Sequence, residues 1–485
     1  MFLQHFKETE TGDHVSTQRR HEDSEIPDHP AMTTTRRIST TNQVENLHCF
    51  CSNTFPIFQL TRLVGLNIVS TNHKRRRNAP GPRTDQDYQQ ANYCFFASFF
   101  SFPSLCNIFF ATSYMYLTIW IYLYLKEHLG VFFQGVDYYT LAVDIVSNFA
   151  QATMLLFHAR FKGKAFIKAL HEMQNTYSCL KQQNPRFVLT NSIKNMSLGL
   201  VVFILSTTLI YGCLFLYLIF GMTIPYQNKN DSRHDWLSFS FIIQKFGHFL
   251  LPIYSQSFAA LFIVYTEVVR QLYIQLARQL QLCLTNANGD RMILRTDSNS
   301  IHHVSNTKEM QASSDLSGEV ESFRLLYERL FKTVNSLSDY FGGSLLVVCS
   351  IAVLSVTAAV YTIILNRSDV GIVRNPIVDF FFIVWGFHLF FALFILAGVL
   401  VSGQRVTCAS RLIATIIQET SLKHIDKDSQ FQINLLAQAV YGTSVEITAC
   451  HITKMSMTFV ASAVGNVITY ILVLLQFRWS CSKVT

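Results

Sequence analysis

Residues 454–477 read KMSMTFVASAVGNVITYILVLLQF, and no charged side chain follows Lys454 within them. As a helix rising about 1.5 Å per residue, the stretch is long enough to cross the roughly 30 Å hydrocarbon layer of a bilayer. Its polar residues are not scattered. At about 100° per residue, Thr458, Ser462, Gly465, Asn466, Thr469, Val473, Gln476 and Ser480 fall along one narrow stripe. The rest of the circumference is mostly Val, Ile, Leu, Met, Ala and Phe. A stripe of this kind is either a close-packed helix contact or the wall of a water-filled path.

Composition agrees with a membrane protein. Half of the residues are hydrophobic, 14% are charged and 41 are Phe, whereas a soluble domain is nearer about 25% charged. The 11 Cys have no regular spacing and lie mostly in or beside apolar stretches, so no disulfide framework is expected. His48, Cys49 and Cys51 lack partners for a metal site, and no cofactor motif is present.

Thr469-Tyr470, five apolar residues and then Gln476-Phe477 resemble the TYhhhhhQF signature in the final helix of insect gustatory receptors. Glu446-Ile447-Thr448-Ala449-Cys450 resembles the segment that leads into that helix. His451 stands where the family usually has Gly, so the local geometry at the helix entry is expected to differ. The resemblance covers residues 91–480. It implies an all-α, multi-pass fold with seven transmembrane helices. It also implies a plasma-membrane taste receptor, the subunit of a ligand-gated, weakly selective cation channel that detects small-molecule tastants. Cytoplasmic extensions of spans four to seven would hold four subunits together, as a homo- or hetero-tetramer with related receptors. In that assembly Thr469, Val473 and Gln476 face the pore axis, Gln476 and Phe477 form a constriction near the outer mouth, and Tyr470 packs against a neighbouring helix. Sugar-receptor relatives often carry Glu after the Thr-Tyr pair; Ile471 here disfavours that clade.

Along the chain, residues 1–90 are expected to form a disordered polar cytoplasmic tail without a cleaved signal peptide. An apolar island at 55–69, interrupted by Arg62, is too short to span and is expected to lie against the inner membrane surface. Lys74, Arg75, Arg76 and Arg77 then read as a cytoplasmic stop signal rather than a nuclear signal, and no nucleic-acid partner is expected. Seven spans follow in the 91–480 membrane domain, at about 103–125, 138–158, 196–224, 239–266, 341–365, 377–401 and 454–477, the last being the predicted pore lining. Alternate segments carry 30 Lys and Arg on one side and 7 on the other, which places the N-terminus inside and the C-terminus outside. The sequons at Asn230 and Asn366 then fall in outer loops and are candidate glycosylation sites. The inner loop 285–319 is expected to be disordered, and 430–441 to form an amphipathic cytoplasmic helix.

A charge inside a span is costly and marks function by default. Asp144 in span two and Lys245 in span four lie in the outer half of the bundle, with His248 beside Lys245. Tyr361 of span five, and Trp385 and His388 of span six, join them at that level. Together these six suggest an outward-facing pocket for a small ligand. The alternative is structural pairing and snorkelling of Lys245, with tyrosines serving as an interfacial belt.

No enzyme constellation is present: no HExxH, P-loop, G-x-S-x-G or paired carboxylates on one helix. A seven-span G-protein-coupled receptor requires the opposite orientation, and a transporter is expected to show internal repeats.

Overall fold

The computed structural model describes residues 48–64, 66, 69–72, 94–97, 102–128, 136–183, 191–226, 239–296, 305–369, 376–420, 425–450 and 452–482. Residues 47–485 cluster as one unit. Ten helices are described: α1 (His48–Leu63), α2 (Phe102–His128), α3 (Val136–Phe161), α4 (Gly163–Gln183), α5 (Asn191–Tyr226), α6 (Phe239–Thr296), α7 (Ser305–Asp369), α8 (Pro376–Glu419), α9 (Lys427–Gly442) and α10 (Met457–Ser482). Two small antiparallel ladders join them, β1 (Val69–Asn72) with β2 (Cys94–Ala97), and β3 (Thr448–Ala449) with β4 (Thr453–Lys454).

Helices α2, α3, α5, α6, α7, α8 and α10 correspond in order to the seven expected spans. Among the described residues, five carry windows long and apolar enough to cross a membrane: Ser192–Ile210, Ile253–Asn286, Leu316–Tyr361, Leu389–Glu419 and Met457–Phe477. The chain is a multi-pass, all-α membrane protein.

Length decides the architecture beyond the bilayer. With 58 residues in α6 and 65 in α7, these helices run about 87 Å and 98 Å at 1.5 Å per residue, roughly three times the hydrocarbon thickness. Each therefore projects well past the membrane. The projecting part has its own core. Val268, Leu272, Leu276 and Leu280 of α6 and Tyr327, Leu330, Val334 and Leu337 of α7 are at most 2% exposed, at spacings of three and four that line one helix face. Leu170, Met173 and Tyr177 of α4 and Ile433 and Leu436 of α9 close over them. Charges on these helices pair locally. The Arg270 guanidinium donates to Glu267 at 2.6 and 2.7 Å, and Arg324 donates to Glu321 at 2.6 and 2.8 Å and to Glu328 as well. The Ser336 hydroxyl of α7 donates to Glu172 of α4 at 2.8 Å.

Helix α9 follows the expected amphipathic pattern and starts where a cap dictates. Asp426 takes extended backbone and accepts from the Ser429 N–H at 3.0 Å, satisfying one of the donors that a first turn leaves open. An aromatic cluster marks the junction between the projecting and apolar parts. Phe341 of α7 meets Phe258 and Phe262 of α6 edge-on at 5.4 and 5.3 Å, and Phe166 of α4 stacks on Tyr340 at 4.6 Å.

Three boundaries differ from the sequence expectations. Within the stretch expected to be a polar tail, α1 buries Thr54, Ile57, Phe58 and Thr61 against α5 and α6. The spacing of those four residues gives one buried stripe, and the Ile57 N–H donates to Ser197 Oγ of α5 at 3.2 Å. The expected disordered loop at 285–319 is largely helical, because α6 continues to Thr296 and α7 begins at Ser305; Leu316 and Val320 are buried. The last helix starts at Met457 rather than Lys454, which belongs to β4, and runs on to Ser482.

Candidate functional site: the last helix and its seat

Helix α10 touches its own bundle along one side. Ala463 and Ile471 are buried and Phe459, Val460, Val467 and Leu474 half-buried, with Val467 resting on Ala352 and Val356 of α7 and Ala392 of α8. This side lies roughly 140° round the helix from the polar stripe. Every member of that stripe, Thr458, Ser462, Gly465, Asn466, Thr469, Val473, Gln476 and Ser480, is exposed. Among the described residues, the polar stripe therefore faces out of the chain, away from the α7 and α8 residues on which α10 rests. Phe477 at its end is 59% exposed. Tyr470 is 60% exposed.

Two hydroxyls on the stripe bond back to the helix. Thr469 Oγ1 donates to the Gly465 carbonyl and Ser480 Oγ to the Gln476 carbonyl, both at 2.9 Å. Their protons are committed to the helix backbone, so these two side chains present oxygen lone pairs outward.

The start of α10 is held by a hairpin seated on two glycines. β3 and β4 pair Thr448 with Lys454 and Ala449 with Thr453. Cys450 turns the chain with a φ of 55°, the left-handed region that non-glycine residues seldom enter. The departure from glycine at His451 is thus accompanied by a left-handed backbone one residue earlier; His451 itself lies outside the described residues. A Cβ on Gly342 of α7 would stand 2.9 Å from the Cys450 nitrogen and 3.1 Å from the Thr448 carbonyl oxygen. A Cβ on Gly403 of α8 would stand 2.8 Å from both the Cβ and the carbonyl oxygen of Met455. Only glycine allows such an approach of backbone to helix. Beside Gly403, Gln404 Oε1 accepts the N–H of Met457, the first residue of α10, at 3.1 Å. Lys454 Nζ and Glu446 Oε2 are 2.7 Å apart across the hairpin base.

Over residues 55–479 the sequence matches the family described as 7tm chemosensory receptor. The chain belongs to that family. Its fold is also that of an insect chemosensory receptor: the structure of the insect olfactory receptor OR5 from Machilis hrabei in complex with eugenol superposes with a TM-score of 0.56 at 11% identity, covering 87% of this chain and 97% of that one. The structure of the same olfactory receptor described without a ligand gives 0.52 at 12% identity, with the same coverage. No curated protein matches significantly. The family match begins inside α1, upstream of the expected domain start at residue 91.

The receptor's expected ligand residues are only partly described. Asp144 lies on α3, Lys245 and His248 on α6, and Trp385 and His388 on α8, but their side chains lie outside the described residues. Asn230 does too, as does the side chain of Asn366. Tyr361 is fully buried on α7. The described residues do form a narrow crevice of about 10 Å³ between α5, α6 and α8, lined in part by Leu200, Phe203, Gln256, Ala259, Ile263 and Phe394. Gln256 in its wall accepts from Thr207 Oγ1 at 3.0 Å. Tyr361, whose side chain is described, is not among its lining residues. Gln256, Gly342, Gly403 and Gln404 were not singled out by sequence reasoning. A buried amide in an apolar span and a Gly-Gln pair where span six ends were the available signals.

Proposed function

We propose that the receptor is a gustatory receptor of the plasma membrane, a subunit of a ligand-gated, weakly selective cation channel opened by small-molecule tastants. One observation carries the reading: the polar stripe of α10 faces out of its own chain. A single subunit has no use for exposed Thr, Asn and Gln on a membrane helix, where unpartnered polar groups are costly. Four copies arranged with the stripe inward would turn that surface into a water-filled path. The outward lone pairs of Thr469 and Ser480 favour cations on such a wall, while its small uncharged residues discriminate little among them.

In this assembly Thr469, Val473 and Gln476 face the axis and Gln476 with Phe477 narrows the outer end. The N-terminus is cytoplasmic, following the charge count, and Asn230 and Asn366 are outer glycosylation sites. The fourfold contact comes from the projecting parts of α6, α7, α8 and α9, with identical or related subunits. The tastant enters the outer half of the bundle, near Asp144, Lys245, His248, Tyr361, Trp385 and His388, and favours the arrangement in which the last helices stand apart. The chemosensory family and the absence of an enzyme motif in the sequence both favour a receptor over a catalyst.

Whole-cell current in cells expressing the receptor, challenged with a tastant panel, tests this. Native receptor should give tastant-evoked cation current, and Gln476→Ala should change its permeability ratio or rectification. Current that requires G-protein signalling, or an extracellular N-terminal tag on intact cells, overturns the reading.

A further inference from the structure

Helix α10 is held very unevenly. At the hairpin end its backbone is locked from two directions. Gly342 of α7 admits the hairpin tip, and Gly403 of α8 admits Met455, both at distances that leave no room for a methyl group. The Met455 N–H donates to the Ile447 carbonyl at 2.9 Å, which ties the last hairpin residue back to its first arm. The seat is itself tied into the bundle. Gly342 adjoins Phe341 and the aromatic cluster at the junction of the bundle. Tyr327 OH of α7 and Thr443 Oγ1, which follows α9, lie 3.3 Å apart. Beyond this end, among the described residues, α10 keeps a narrow apolar side of Phe459, Val460, Ala463, Val467, Ile471 and Leu474, and most of its other side chains are exposed.

The first residues of a helix carry N–H groups without an intrahelical partner. In α10 the first of these, on Met457, is taken by Gln404 from another helix. A cap contributed by the residue just before the helix would travel with it. This one instead joins the start of α10 to α8.

We infer that Gln404 is a positioning residue for the last helix: its amide oxygen, beside the Gly342 and Gly403 seats, fixes the hairpin end of α10 as a pivot and confines its movement to the far half. The inference deepens the channel reading and rests on it for its meaning, since a helix hinged at the hairpin end opens at Gln476 and Phe477. The holding of α10 itself is testable without any ligand or current.

The test is hydrogen–deuterium exchange of the full-length receptor in lipid nanodiscs, followed by mass spectrometry over residues 456–463 and 470–477. Gln404→Leu removes the acceptor, and about fivefold faster exchange over 456–463 is expected from the loss of one hydrogen bond. Gln404→Glu keeps an acceptor oxygen and should exchange like the native receptor. Met457→Pro removes the donor at a position that suits proline. It should accelerate exchange of the neighbouring amides to the same extent, and the double variant should exchange no faster than either single one. Native-like exchange in both Gln404→Leu and Met457→Pro, or fully additive effects in the double variant, overturns the inference. If Gln404→Leu does not fold, the Met457→Pro and Gln404→Glu pair decides the matter. Gln476→Ala currents report on the pore independently, so failure of the pore reading and failure of the pivot are distinguishable.

Discussion

Lys454 and Glu446 close the hairpin base with a 2.7 Å ion pair in which the lysine is two-thirds exposed and the carboxylate is largely covered. Exposure on one side keeps such a pair weak, about 0–1 kcal/mol. Lys454→Ala should therefore lower the midpoint of a thermal challenge, read by fluorescence-detected size-exclusion chromatography, by no more than a few degrees. The difference from the native receptor should shrink in 0.5 M salt as screening weakens the pair, about 4 Å being the Debye length there. The charge-exchanged double variant should recover the loss.

Gly342→Ala and Gly403→Ala should be costly for reasons that do not apply to other helical glycines. Alanine in a helix gains about 1 kcal/mol over glycine where space is open, as at Gly199, which has nothing within 4 Å. At Gly342 and Gly403 the added methyl meets backbone that must move, and overpacking costs about 1–3 kcal/mol. Thermal midpoints should rise or hold for Gly199→Ala and fall for the other two.

Phe341→Ala removes the ring shared by Phe258, Phe262 and Tyr340. A buried Phe truncation costs about 3–5 kcal/mol, a large part of the stability of an ordinary folded domain. Surface expression of this variant should collapse, as measured by antibody binding to an extracellular tag. Phe341→Leu should retain part of it.

Thr469→Val replaces the hydroxyl by a methyl group of similar shape. Because that side chain is exposed on α10 and bonds only to its own helix, thermal stability should stay within about 0.5 kcal/mol of native. The reversal potential of tastant-evoked current should shift toward weaker cation preference. An unchanged reversal potential together with unchanged stability would remove Thr469 from the permeation path.

The order and number of the long helices were legible because apolar length is a property of single segments, which composition alone reveals. The stripe on α10 was legible for a similar reason: helical periodicity puts Thr469, Val473 and Gln476 on one side whatever surrounds them. Its direction was not. That depended on Ala463, Val467 and Ile471 finding partners on α7 and α8, and partners are not written in a segment's own pattern. The seats at Gly342 and Gly403 were hidden for the same reason, since a glycine's value there lies in a backbone more than 50 residues away. Helix α1 was misjudged because Arg62 and its short length argued against a span. Four residues at helical spacing sufficed for docking onto α5 and α6.

The outward stripe of α10 has a consequence for how such a receptor can change over time. Side chains buried between helices answer to folding, and most replacements there are removed because the protein fails to mature. Those on the stripe are exposed and bond only locally among the described residues, so on the channel reading they can be exchanged while the subunit still folds. If the stripe lines the proposed pore, conductance and ion preference can then change at little cost in stability, whereas a change at the glycine seats beneath the same helix must displace backbone.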